Sequence, residues 1–98
     1  MIQNLVNDNG NFAANQFVIE GSYGTYFQSY ESIICLYRHG VLYISPKWDY
    51  SNTTRKHLYI FIRKYTNFRA SNKKEVLERI KEGQFIEMEE QYITPSIV

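Results

Sequence analysis

The sequence predicts an α+β fold, a small curved antiparallel sheet of about three to four strands packed by two helices, and three observations lead there. Before Pro46 the apolar residues recur every second position, the period of a strand. After it they recur near every 3.6 residues, the period of a helix. The length of 98 residues, with a hydrophobic fraction of 44% and a charged fraction of 21%, suits one hydrophobic core and leaves no room for a second.

In chain order, residues 1–11 are rich in Asn and include the turn dipeptide Asn9-Gly10, so they are expected as a flexible leader ahead of a domain spanning 12–88. Phe17-Val18-Ile19 is a short run of aromatic and β-branched residues closed by Glu20-Gly21-Ser22, which suits a strand and a turn at Tyr23-Gly24. From Tyr26 to Arg38 nearly every residue is aromatic, β-branched or small, and no Pro interrupts, so one central strand is expected. Alternation points Phe27, Ser29, Ile33, Cys35 and Tyr37 one way and Tyr30, Ile34 and Leu36 the other. His39-Gly40 supplies a two-residue turn, and Val41-Leu42-Tyr43-Ile44 returns as the hairpin partner until Pro46, which has no N–H to donate.

A helix is then entered through Asp49, Ser51 or Asn52, each a competent N-cap. Leu58, Phe61, Ile62 and Tyr65 fall at i, i+3, i+4 and i+7, a stripe that belongs against the sheet. Asn52, Arg55, Lys56, Tyr59 and Arg63 fall on the opposite face. A second helix is expected over about 72–82, with Val76, Leu77 and Ile80 as its stripe, Ser71 as its cap, Gly83 beyond its end, and Glu75 and Arg79 as an i,i+4 pair. Phe85-Ile86-Glu87-Met88 suits a last short strand, and residues 89–98, with Pro95 among them, read as a C-terminal tail.

Composition narrows the function classes. The nine Tyr, six Phe and single Trp imply an aromatic core, since each such side chain buries a large area. Cys35 is the one cysteine, which rules out an internal disulfide and a Cys-based zinc site within the chain and fits a reducing compartment. No apolar run approaches the roughly 20 residues that cross a bilayer, and Met1-Ile2-Gln3-Asn4 lacks the basic start of a signal peptide, so a cytoplasmic protein without a membrane partner is expected. His39 and His57 have no second ligand at metal spacing. No nucleophile, base and orienting acid recur in a known arrangement, and there is no phosphate loop. The reading is of a protein without catalytic residues, metal or cofactor.

Charge is distributed unevenly. The net value is only +1, yet nine cations between Cys35 and Lys74 face Asp49 alone, while the flanking stretches are acidic. Such asymmetry points either to an anionic partner or to an acidic end folded on a basic middle. Both remain open. The same duality holds for the residues singled out here as a candidate binding site: Lys47, Trp48, Tyr50, Arg55, Lys56, Tyr59, Arg63 and Lys64. In the functional version Trp48 and Tyr50 form a stacking platform beside a basic helix start, as in single-strand nucleic-acid binding. In the structural version Trp48 closes the edge of the core while Asp49 and Ser51 cap the helix. Arg55 and Lys56 sharpen the question, because cations in a first turn oppose the helix dipole by ~0.3–1 kcal/mol each. Either a bound phosphate or a carboxylate of the chain offsets that cost.

The stretch Phe27-Gln28-Ser29-Tyr30, the hairpin after it, and Trp48-Asp49-Tyr50-Ser51-x-Thr53-Thr54-x-Lys56-His57-Leu58-x-x-Phe61 resemble a family of small uncharacterised phage and mobile-element proteins. Many members of that group have Tyr-Gly-Thr where this chain has Tyr30-Glu31-Ser32. The resemblance implies an accessory role and no particular activity. Two functions are consistent with it. One is a non-enzymatic binding protein whose basic and aromatic helix face engages nucleic acid or a nucleic-acid-binding complex. The other is a stoichiometric inhibitor of a host protein or of a defence system such as CRISPR.

Overall fold

In the computed structural model, which describes residues 1–95, six strands form one sheet in sequence order. They are β1 (Ile2–Val6), β2 (Phe12–Glu20), β3 (Thr25–Ser29), β4 (Ser32–Arg38), β5 (Val41–Ile44) and β6 (Phe85–Glu87). The first five make an antiparallel meander, and β6 adds parallel to β5. Three helices accompany the sheet: α1 (Asn52–Tyr65), α2 (Lys73–Lys81) and the single turn α3 (Glu90–Ile93). The α+β class holds, but the sheet is larger than the expected three to four strands and is mixed. Among the described residues no helix is long and apolar enough to cross a membrane.

Two stretches account for the extra strands. Residues 2–6, expected within a flexible leader, form the edge strand β1, and its Leu5 is fully buried. The Asn-rich composition is the chemistry of a turn: Asn7 Oδ1 accepts from the backbone N–H of Asn9 and of Asn11, each at 3.0 Å, while Gly10 takes a left-handed φ of +81°. The expected long strand over 26–38 is folded in two. Ser29 pairs with Ser32, and the Tyr30-Glu31 connection turns on Tyr30 at φ +55°, a position where Gly or Asn is the usual residue. A register shift in the same pair also overturns the expected alternation. Ile33 and Leu36 lie on the outer face, whereas Ile34 and Cys35 join the inner core.

At the β4–β5 hairpin and the start of α1 local chemistry acts as the sequence suggests. His39 and Gly40 both take positive φ, at +49° and +77°, which matches the twist of the β4–β5 hairpin. Ser51 is the N-cap of α1, its Oγ accepting from the Thr54 N–H at 3.1 Å. Leu58, Phe61 and Ile62 are buried against Val18, Phe27, Leu42 and Ile44, and Phe61 stacks between Phe27 and Tyr65 at 5.6 and 5.2 Å. The cap of α2 is Asn72 rather than Ser71, and Glu75 accepts from the Ser71 N–H instead of pairing with Arg79. Of its expected stripe Val76 is buried, Ile80 packs at the core's margin and Leu77 is exposed.

The expected tail is partly structured. Within 89–98, Glu90–Ile93 form α3, which lays Ile93 on the outer face against Ile19, Tyr26, Ile33 and Leu36. The rest of that segment, from residue 96 on, lies outside the described residues.

Candidate functional site

Trp48-Asp49-Tyr50-Ser51 divides between interior and surface one residue at a time. Pro46–Asp49 form a 3-10 turn capped by Ser45, whose Oγ accepts from the Lys47 N–H at 3.2 Å. That turn drives Trp48 inward, to 3% exposure, and leaves Tyr50 outside, at 84%. Trp48 is therefore a core residue, not half of a stacking platform. Tyr59, expected on the open face of α1, is half-buried against the main core, and burial raises its phenol above the ordinary value.

Most of the expected cations have partners within the chain. Arg55 Nη1 meets Asp49 Oδ1 at 2.7 Å, and its other guanidinium nitrogen donates to Asn52 Oδ1, so a carboxylate of the chain itself offsets the dipole cost. Asp49 also takes Lys73 Nζ at 2.9 Å; that bond first, and Arg55 next, hold its carboxyl below the usual range despite partial burial. Arg63 pairs with Asp8 of the β1–β2 turn, and Lys64 Nζ donates to the Val6 carbonyl at 2.5 Å. Lys47 Nζ meets Glu90 Oε1 at 2.7 Å, while Glu90 Oε2 accepts from the Ile33 N–H at 2.9 Å. Burial pushes Glu90 up, but these two partners leave its carboxyl below the ordinary value. Lys56 is exposed and has no ion pair among the described residues. The eight candidates thus form no single face. Lys47 and Tyr50 lie at the start of α1, Arg55 and Tyr59 on its Asp49 flank, and Arg63 and Lys64 toward β1.

What Lys47 and Tyr50 share is a half-open cleft of about 590 Å³ at the N-terminal end of α1. Ser51 and Thr54 of the helix start form one side, with Ser29, Tyr30, Glu31 and Ser32 of the β3–β4 turn opposite, and Asn15 and Ile34 complete the lining. Hydroxyls bond across it: Ser51 Oγ donates to Thr54 Oγ1 at 3.2 Å, and Thr54 Oγ1 lies 3.0 Å from Ser29 Oγ. Two lining residues, Asn15 and Tyr30, hold left-handed φ values of +62° and +55°, and the Tyr30 N–H donates to the Asn15 carbonyl at 2.7 Å. Directly across from Ser29 in register sits Gln16, fully buried with neither amide atom hydrogen-bonded among the described residues.

Sequence reasoning identified Lys47 and Tyr50 but missed the rest of this lining as a site. Ser29, Tyr30, Ser51 and Thr54 stood within the quoted motif stretches, which the fold brings together through the Phe27–Phe61 stack and the Ser29–Thr54 bond. Nothing in the sequence pointed to Asn15. The remaining candidate groups have structural partners: the His57 ring nitrogen Nδ1 lies 2.7 Å from the Thr53 carbonyl, and burial pushes the Cys35 thiol far above its ordinary value. Among the described residues no group of three or more His, Cys, Asp or Glu could hold a metal ion.

The profile of a family of unknown function, DUF8033, matches residues 1–79, a span that contains the whole cleft and stops before β6 and α3. No curated protein and no solved structure matches the chain.

Proposed function

The chain belongs to the DUF8033 family, and we propose that it is a non-enzymatic accessory binding protein, of the phage or mobile-element kind, that engages nucleic acid or a nucleic-acid-binding complex. The observation that carries this reading is the cleft, where two solvent-facing tyrosines and a set of hydroxyls and amides meet at the start of a fourteen-residue helix. Exposed cations without an ion pair among the described residues, Lys56 on α1 and Arg69, Lys74 and Lys81 around α2, supply electrostatic attraction for a polyanion. Binding would be stoichiometric, with no bond made or broken. The test is fluorescence anisotropy of a labelled oligonucleotide titrated with the protein across a salt series. Affinity should fall as salt rises. No affinity at low salt, where nonspecific attraction is strongest, ends the reading.

A second reading, stoichiometric inhibition of a host protein or defence system, is favoured by the other side of the sheet. Ile2, Ile19, Tyr26, Leu36, Tyr43 and Ile86 stand in register across all six strands; Ile93 of α3 covers the middle of that row, and its two end residues are exposed. A partner held there would stay bound after nuclease treatment and be lost in Ile86→Asp, whereas a nucleic-acid partner would be lost to nuclease alone.

A further inference from the structure

We propose that the cleft seats one unstacked base of a single strand, with the Tyr30 and Tyr50 rings as its stacking faces; this inference rests on the nucleic-acid reading above. Its volume of about 590 Å³ falls within the range of pockets that enclose a small ligand. In a duplex the bases are stacked and paired inside, so only an unpaired base can enter such a space.

The two rings are placed at a cost that the fold alone does not explain. Tyr30 holds a left-handed backbone, a strained conformation for a bulky residue, and it is still 54% exposed. Asn or Gly would make the same turn with less strain. Tyr50 contributes even less to the core, since the buried ring of its stretch is Trp48. Two large exposed aromatics beside one cleft are what base stacking requires.

Charge decides between a base and a phosphate as the occupant. The cation of the cleft, Lys47, is engaged by Glu90, and Glu31 adds a carboxylate to the lining. A phosphate would meet a neutralised lysine and a like charge. A base meets hydroxyls that either donate or accept, from Ser29, Ser32, Ser51 and Thr54, together with the Asn15 side chain. The phosphates of the strand then remain outside the cleft.

The experiment measures binding of a labelled twelve-nucleotide oligothymidylate, and of a duplex of the same length, to the full chain by anisotropy. Single strand should bind at least about ten-fold more tightly than duplex. Tyr50→Ala and Tyr30→Asn, the second compatible with the left-handed turn, should each weaken single-strand binding by roughly 5- to 100-fold while leaving the slope of log affinity against log salt unchanged. Thermal melts of both variants confirm that they fold. If both bind like the wild type while Lys56→Gln flattens the salt slope, the base seat is wrong and the nucleic-acid reading stands. If neither single strand nor duplex binds at low salt, the reading falls and the base seat with it.

Discussion

The layer between the sheet and α1 and the cleft at the end of α1 are built from the same two stretches of chain, yet they follow opposite rules. In the layer, Phe27, Leu58, Phe61 and Ile62 are fully buried and pack ring on ring. At the cleft a few residues away, two non-glycine residues are left-handed and two tyrosines face solvent, and behind Ser29 a buried glutamine has no hydrogen-bond partner among the described residues. The layer gathers stability and the cleft spends some of it. Strain and unmet polar groups concentrated in one small region are characteristic of sites shaped by something other than folding.

The largest effect expected from this contrast is Leu58→Asp. An unpaired carboxylate would enter a fully apolar layer at a cost comparable to the whole stability of a small domain, about 5–15 kcal/mol. Circular dichroism and a thermal melt should show an unfolded chain. A cooperative melt would mean that the layer is not what holds the fold together.

Next in size is Gln16→Met, which removes the unmet amide and keeps an unbranched side chain. If Gln16 is only a cost to folding, the variant gains about 1–3 kcal/mol in chemical denaturation. A loss of stability instead would show that an ordered water completes the amide, and would place Gln16 with the satisfied layer rather than with the cleft.

Tyr30→Asn should stabilise the domain by about 1 kcal/mol, since Asn tolerates the left-handed region that Tyr does not. The measurement is again denaturation, and an unchanged or lowered stability would mean that the Tyr30 ring contributes packing that its exposure hides.

The same contrast explains what could be read in the sequence. Packing leaves a periodic trace, so the stripe of Leu58, Phe61, Ile62 and Tyr65 marked α1, and the His39-Gly40 dipeptide marked its hairpin. The turn at Tyr30-Glu31 left no trace, because the residue that makes it is not one that favours it, and two strands looked like one. The leader hid β1 for the reverse reason, its asparagines being a well-formed turn beside a buried leucine. The cleft was legible only at Lys47 and Tyr50. Its hydroxyl lining comes from two separate stretches, and serines and threonines there resemble those of any cap or turn until the fold brings them together. Nor could spacing tell which charges would pair, since Arg63 meets Asp8 across 55 residues.

The smallest stability effect, and the one that joins the cleft to the rest of the chain, belongs to Glu90→Gln. Glu90 reaches from α3 to Lys47 at the cleft and to the Ile33 N–H, and its carboxyl is held below the ordinary value. A carboxyl depressed in the folded state contributes stability that is present above its unfolded value and lost as pH falls through its folded one. Glutamine keeps an acceptor for Ile33 and loses the charge, so the loss at neutral pH should stay within about 1 kcal/mol, as for a pair at the surface. The fall in melting temperature on acidification should also be shallower than in the wild type. Binding should respond more clearly than stability. With Glu90 neutral, Lys47 is released beside the cleft and becomes available to a phosphate, so oligonucleotide affinity should rise and the slope of log affinity against log salt should steepen by about 0.7, one more released counterion on a single strand. An unchanged slope would mean that Lys47 faces away from the path of the strand. A steeper one would make α3, which lies beyond the part of the chain matched by the family, a brake on the site at the start of α1.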